Sequence, residues 1–176
     1  MNLNTSRLNV QLLQKEDFAD IHEMNSYPQV AQYNTIGIPE NISVTTAFLE
    51  GVMENESALA WSIRKKETGE FVGQFGMNLS SAKYRKGEIY YSLHPDQWGQ
   101  GFATETVSAV LSFGFSELRL HRIEAGVATE NTRSVALLER LGMQREGLCR
   151  KILPLQSGWM DNYMYAILEE DPREFY

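Results

Sequence analysis

The sequence predicts a mixed α+β fold built on one central, twisted and mostly antiparallel sheet. Two runs with strand character, 59–65 and 71–79, flank a polar connection that contains Gly69, a pattern typical of a β-hairpin. Between residues 88 and 128 a strand, a helix and a second strand follow one another, which favours a right-handed parallel crossover. Antiparallel pairing followed by a crossover therefore indicates a mixed sheet.

About seven strands and four helices account for most of the chain. Alternation of Leu8, Val10 and Leu12 predicts a first strand, and apolar spacing predicts a helix over 17–25. A second helix follows a cap at Asn41 or Ser43. The remaining predicted elements are strands over 59–65, 71–79, 88–93, 122–128, 144–153 and 162–168, and helices after residues 101 and 131. Segments 27–39 and 154–159 are predicted to be irregular, and the first of them to line a substrate entrance or to tuck its rings into the core.

Length and composition predict one domain that spans residues 1–176. A hydrophobic fraction of 43% and a charged fraction of 22% are typical of a soluble globular protein. No apolar run approaches membrane-spanning length, and the first residues resemble no signal peptide, so we expect no membrane partner. A net charge of −7 argues against nucleic acid as a partner.

Cysteine and histidine usage excludes further classes of site. Cys149 is the only cysteine, which excludes an internal disulfide and suits a reducing cytoplasm. With three histidines and no Cys-x-x-Cys motif, the sequence predicts no metal site.

The run Trp98-Gly99-Gln100-Gly101-Phe102-Ala103 predicts a phosphate-binding cradle. Two glycines stand where a helix begins, and the first N–H groups of a helix, together with its dipole, favour an anion. Absence of side chains at these glycines lets a phosphate approach the backbone. The P-loop pattern is absent, which argues against a nucleoside triphosphate. Gly99-x-Gly101 also begins a dinucleotide fingerprint, so a nicotinamide or flavin cofactor stays open, although Thr104 stands where the third small residue belongs.

Several motifs in the right order resemble one known family. They are Thr5-x-Arg7-Leu8, Gly87-Glu88-Ile89-x-Tyr91, Trp98-Gly99-x-Gly101-Phe102-Ala103-Thr104-Glu105, Asn131-x-x-Ser134-x-Ala136-Leu137-Leu138-Glu139-x-Leu141-Gly142-Met143, Glu146-Gly147 and Asp161. The chain resembles the GNAT superfamily of acyl-CoA-dependent N-acetyltransferases, and within it the RimJ/RimL type that acetylates the N-termini of ribosomal proteins. The resemblance covers most of the chain.

The resemblance implies the GNAT fold, with a V-shaped splay between the fourth and fifth strands, 88–93 and 122–128. It also implies that backbone N–H groups near 99–104 hold the pyrophosphate of coenzyme A, while the pantetheine arm pairs with the strand 88–93. The implied coenzyme-binding residues are Tyr91, Ser92, Leu93, Trp98, Gly99, Gln100, Gly101, Phe102, Ala103, Thr104, Asn131 and Ser134.

Two residues are candidates for the acid–base chemistry. Glu88 begins a strand near the splay and is the candidate base, or alternatively an exposed carboxylate paired with Arg85 or Lys86. Ser134 is the candidate acid, because the resembled branch places a serine near the coenzyme A sulfur; alternatively its hydroxyl satisfies the first helical turn. Many superfamily members use a tyrosine four residues later, where this chain has Leu138.

Five other polar residues have predicted binding or structural roles. Asn131 matches an asparagine that contacts coenzyme A and is also a good N-cap. Arg133 and Arg140 either meet phosphates or are solvated. Glu105 and Asp161 are predicted to be structural partners.

These observations predict a cytoplasmic N-acetyltransferase, monomeric or homodimeric, that moves an acetyl group from acetyl-CoA to a primary amine. Direct attack in a ternary complex is expected, without a covalent enzyme intermediate. A peptide or protein N-terminal α-amine is favoured as acceptor, and a small-molecule amine is possible. The alternative is a non-catalytic acyl-CoA-binding sensor or interaction module.

Overall fold

A single sheet forms the centre of the fold. Within residues 2–172, which the computed structural model describes, eight strands lie in the order β1-β2-β3-β4-β5-β6-β8-β7. Among the strand pairs of this described part, only β5–β6 is parallel, and the others are antiparallel. The strands are β1 (Leu3–Asn4), β2 (Leu8–Leu12), β3 (Ala58–Lys65), β4 (Phe71–Leu79), β5 (Lys86–Leu93), β6 (Arg122–Ala128), β7 (Gln144–Leu155) and β8 (Gly158–Leu168). The predicted mixed α+β sheet is confirmed.

Five α-helices of the described chain flank this sheet. They are α1 (Phe18–Ser26), α2 (Pro28–Ala31), α3 (Ile42–Glu54), α4 (Phe102–Ser116) and α5 (Thr132–Arg140). The main core includes Val107, Val110 and Leu111 of α4 and Leu137 and Leu138 of α5, packed with buried strand residues. None of the described helices has the length and apolar character needed to cross a membrane.

A smaller cluster packs α1 and α3 near the first strands. Leu13, Phe18, Ile21 and Leu49 are its buried members, and Ala60 of β3 packs against them. Asn41 caps α3, because its Oδ1 accepts hydrogen bonds from the backbone N–H groups of Ser43 and Val44. Of the two caps predicted from the sequence, Asn41 is the one used.

The structure differs from the expected elements at three places. The strand β1 has two residues, too short to show an alternating pattern. Segment 27–39, expected to be irregular, contains the short helix α2, in which Pro28 occupies the first position, where a proline ring is tolerated. The connection 154–159 is shorter than expected, because β7 extends through Pro154 to Leu155 and β8 begins at Gly158. Since β7 is the edge strand, the missing N–H of Pro154 costs little there.

Candidate functional site

The two parallel strands pair at one end only. β5 pairs with β4 from Gly87 to Leu93, but it pairs with β6 only at Lys86, Gly87 and Glu88. From Ala125 to Ala128, β6 continues beside β8 instead. The two strands therefore diverge beyond Glu88 and enclose the V-shaped opening that we call the splay.

Backbone groups of β5 face this opening. The carbonyl of Lys86 accepts from Ser80 on the β4 side, whereas the carbonyl of Arg85 accepts from His121 on the β6 side. Because backbone groups alternate along a strand, those of Ile89 and Tyr91 point into the splay. Within residues 2–172 no strand pairs with β5 there, so these groups are free to bind a ligand with amides.

The cradle predicted at residues 98–104 lies in the connection between β5 and α4. Gly99 and Gly101 have φ angles of 75° and 81°, which only glycine adopts without strain, and Gly101 is the N-cap of α4. The loop is braced by Trp98, whose indole N–H donates to the carbonyl of Leu93 at 2.9 Å. The helix α4 therefore begins directly after an exposed glycine-containing loop. Its first backbone N–H groups are those of Phe102, Ala103 and Thr104.

Several predicted binding residues have side chains that already pack or form hydrogen bonds within the protein. Leu93 and Phe102 are core residues, so only their backbones are available to a ligand. The side-chain amide of Gln100 donates to the carbonyl of Asp96 at 2.9 Å. Ser92 is paired through its backbone, in register with Gln74 of β4.

Tyr91 and Ser134 meet across the splay. The phenolic oxygen of Tyr91, on β5, lies 2.7 Å from Oγ of Ser134, in the first turn of α5. Burial raises the pKa of Tyr91 to about 12, and the hydrogen bond to Ser134 offsets part of that rise. The phenol therefore stays protonated near neutral pH and acts as a hydrogen-bond donor or acceptor rather than as a base.

Asn131 fixes the start of α5. Its Oδ1 accepts from the backbone N–H of Ser134 at 3.2 Å, which confirms the predicted N-cap. The hydroxyl of Ser134, by contrast, bonds to Tyr91.

The two arginines of α5 contact the cradle and the helix that follows it. The guanidinium of Arg133 lies 4.7 Å from the centre of the Trp98 ring, a cation–π contact. Arg140 donates to Oγ1 of Thr104 at 3.5 Å. Both side chains are exposed and are positioned beside the predicted phosphate site.

Glu88 lies at the vertex of the splay and is exposed. It is the last residue of β5 that pairs with β6, where Glu124 is its partner in register. It lies three positions before Tyr91 in the strand, so the two side chains project from opposite faces of the sheet. Its expected alternative partners are used elsewhere, since Lys86 binds Glu124 at 2.9 Å and Arg85 binds Glu169 at 2.5 Å.

A group of contacts around Glu105 was not predicted as part of the site. The Glu105 carboxylate, in the first turn of α4, accepts from Thr5, Ser6 and both the backbone and the side chain of Arg7. The sequence signal was the motif Thr5-x-Arg7, which carried the family resemblance without indicating a contact. Asp161 likewise accepts from the backbone N–H of Lys151 at 2.8 Å, so both acidic residues are the structural partners predicted.

Segment 27–39 touches both arms of the splay. The ring of Tyr27 makes an edge contact of 5.0 Å with His94, which directly follows β5. The hydroxyl of Tyr33 donates to the carbonyl of Glu130 at 3.2 Å, in the connection between β6 and α5. Cys149 is half-buried on β7.

Comparisons with known proteins agree with this geometry. The family model described as the acetyltransferase (GNAT) domain matches residues 7–144. The uncharacterized N-acetyltransferase YoaA of Bacillus subtilis is 34% identical over 176 residues, which cover 98% of each chain. An acetyltransferase (GNAT family) from Bacillus anthracis has a TM-score of 0.87 at 30% identity, over 97% of this chain and 100% of the other.

A third relative is RimJ of Mycobacterium smegmatis, solved in complex with CoA-disulfide. Its TM-score is 0.88 at 25% identity, and the match covers 99% of this chain and 90% of that one. The match of the family model over most of the chain shows that the protein belongs to the GNAT family and is an acetyl-CoA-dependent acetyltransferase.

Proposed function

We propose that the protein moves an acetyl group from acetyl-CoA to the α-amine of a peptide or protein N-terminus, by direct attack within a ternary complex. The observation that carries this proposal is the convergence at one opening of three features: a glycine-lined helix start, unpaired strand backbone and the hydrogen-bonded pair of Tyr91 and Ser134.

The co-substrate occupies the splay in this proposal. Its pyrophosphate binds the first N–H groups of α4, with Gly99 and Gly101 allowing close approach. Its pantetheine amides pair with the backbone of Ile89 and Tyr91, as an added strand does. Arg133 and Arg140, beside the cradle, supply positive charge near the phosphates, and Asn131 holds the helix that carries Ser134.

Glu88 is the proposed base, acting directly or through water. An α-amine has a pKa near 8, so removing its proton at neutral pH costs about 1 kcal/mol, whereas a lysine near 10.4 costs several. An exposed carboxylate is a weak base and suits the first substrate. Its position on the face of the sheet opposite Tyr91 lets the amine approach from one side while the thiol leaves on the other.

The leaving thiolate receives its proton from Ser134. As the tetrahedral intermediate collapses, the C–S bond breaks and the Oγ–H of Ser134 passes a proton to sulfur; after the thiol leaves, the serine oxygen regains a proton from solvent. Tyr91, protonated and 2.7 Å away, donates a hydrogen bond to the serine oxygen as negative charge develops there. Leu138, where many relatives carry a tyrosine, is 1% exposed within the core and offers no proton.

The acceptor enters past segment 27–39 in this proposal. Contacts of Tyr27 with His94 and of Tyr33 with Glu130 place this segment over both arms of the splay, so its polar and aromatic side chains border the path of the incoming amine. The likeness to RimJ supports a peptide terminus as the acceptor. A single half-buried cysteine suits the reducing cytoplasm, where we place the protein.

Release of coenzyme A thiol tests the function. The protein is incubated with acetyl-CoA and either peptides with free N-termini, the same peptides with blocked N-termini and one lysine, or spermidine. We expect thiol release with the free N-termini. If thiol is released with spermidine but with neither peptide, the acceptor is a small amine and not a peptide terminus. Binding of acetyl-CoA without release in any arm would favour the non-catalytic binding module.

A further inference from the structure

Arg7 contacts the cradle from the side of the first strands. Its Nε lies 2.7 Å from Glu105, and its Nη1 donates to the backbone carbonyl of Gln100 at 2.9 Å. The guanidinium also lies 4.6 Å from the centre of the Phe102 ring. Its Nη2 is 3.3 Å from the place that a Cβ on Gly101 would occupy. One side chain thus contacts three residues of the cradle and of the helix that follows it, and lies beside a fourth, Gly101.

The bond to Gln100 orients one particular peptide unit. The carbonyl of Gln100 and the N–H of Gly101 belong to the same peptide, and in a trans peptide these groups point in opposite directions. Because Arg7 holds the carbonyl on its own side, the N–H of Gly101 is turned away from Arg7. Gly101 has a positive φ and no side chain, so nothing else within this residue fixes that orientation.

We infer that Arg7 is a positioning residue for the diphosphate of coenzyme A, which it aligns by holding the Gln100–Gly101 peptide with its N–H toward the ligand. This inference rests on the proposed function, in which residues 99–104 hold that diphosphate. It adds a residue from outside the cradle, 93 positions away from Gln100 in the chain.

The positive charge of Arg7 is largely balanced by the negative charge of Glu105. Glu105 lies within ion-pair distance, and the two opposite charges cancel at long range. Partial burial would raise the pKa of Glu105, but hydrogen bonds from Thr5, Arg7 and Ser6 lower it overall, so the carboxylate stays ionised. Arg7 therefore acts by positioning the loop with two N–H donors of its planar guanidinium, Nε and Nη1. It does not act by attracting the phosphates from solution.

The experiment compares ligands with and without the diphosphate. Calorimetry measures the dissociation constants of coenzyme A and dephospho-coenzyme A, and ligand-observed NMR measures that of pantetheine, which lacks the diphosphate. The proteins are the wild type, Arg7→Gln, Arg7→Lys and, as control, Lys66→Gln. Lys66, in the turn after β3, donates to the backbone carbonyl of Thr5, so its loss removes a cation that contacts the segment of Arg7 without altering a residue of the cradle.

We expect Arg7→Gln to weaken both coenzymes by about tenfold and to leave pantetheine unchanged. Arg7→Lys keeps the charge but cannot bind Glu105 and Gln100 together, so it should lose most of the same affinity. Lys66→Gln should bind all three ligands as the wild type does.

Three results would overturn the inference: wild-type coenzyme affinity in Arg7→Gln, full affinity in Arg7→Lys, or an equal loss for pantetheine, which would make the role one of folding. If Arg7→Gln fails to fold, the binding affinities of Arg7→Lys test the inference instead. A wild type that binds pantetheine as tightly as coenzyme A would instead refute the proposed cradle itself.

Discussion

The hydroxyl of Tyr91 and the hydroxyl of Ser134 are 2.7 Å apart, and this hydrogen bond joins strand β5 to helix α5 across the splay. It puts a protonated phenol behind the serine that is proposed to give its proton to the leaving thiolate.

Tyr91→Phe should lower kcat by about tenfold and leave KM for acetyl-CoA nearly unchanged, because the ring still fills its place while the hydroxyl is lost. Ser134→Ala should slow turnover by about tenfold or more. In the double variant the loss should be little greater than in Ser134→Ala alone, since both hydroxyls serve one proton transfer. Steady-state kinetics of the three variants measure this.

Tyr165→Phe is the matched control for these variants. Its hydroxyl donates to Glu139 at 2.8 Å and ties β8 to the other end of α5, so its loss removes a comparable bond away from the splay. Equal falls in kcat for Tyr165→Phe and Tyr91→Phe would mean that both act only by holding α5.

Gly101→Val should raise KM for acetyl-CoA by about tenfold or more. A β-branched residue is strained at a φ of 81°, and its Cβ would lie 3.3 Å from Nη2 of Arg7, so the cradle would shift. Gly69→Val provides the control, because Gly69 has a φ of 73° and open space around it, in the turn between β3 and β4. It should lower the melting temperature without changing KM. An unaltered KM in Gly101→Val would place the phosphates elsewhere.

Glu88→Gln should lower turnover most near neutral pH, where an α-amine is still protonated and needs a base. Above about pH 8 the amine loses its proton unaided, and the variant should approach the wild type. The pH–rate profile with a peptide acceptor measures this difference. Glu124→Gln removes the carboxylate beside Glu88 in register and should keep the wild-type profile. A profile in Glu88→Gln parallel to that of the wild type would reject Glu88 as the base.

The stability of the fold should fall in acid partly through Glu105. Hydrogen bonds from Thr5, Arg7 and Ser6 outweigh partial burial and hold the pKa of Glu105 below its ordinary value of 4.5. A carboxyl group whose pKa is lowered by folding stabilises the protein above its unfolded pKa, and this stabilisation is lost as the pH falls through the folded value. We therefore expect a loss of unfolding free energy as the pH falls below 4.5.

Urea unfolding from about pH 6 to about pH 3 measures this loss. Glu105→Gln should flatten the acid side of the stability curve without abolishing it, because folding also lowers the pKa values of Glu70, Glu124 and Glu146. Glu50→Gln breaks an exposed pair with Lys15 and should leave the slope as it is. A wild-type slope in Glu105→Gln would show that the cluster around Glu105 contributes little.

Local chemistry made several features readable from the sequence. The positive φ angles of Gly99 and Gly101, the helix that begins at Phe102 and the cap between Asn131 and Ser134 depend on residues within a few positions of one another. Such preferences act through short-range sterics and hydrogen bonds, so the glycine-containing loop and the elements beside it could be predicted, as could the mixed sheet.

The sequence by itself determined most of the strands and helices and the glycine-containing loop that begins α4. Only the tertiary structure decided that Tyr91 forms a hydrogen bond with Ser134, 43 positions away, and that Arg7 donates to the carbonyl of Gln100, 93 positions away. Contacts at such separations depend on how the core seats α4 and α5 against the strands, and no local preference of the chain encodes that packing.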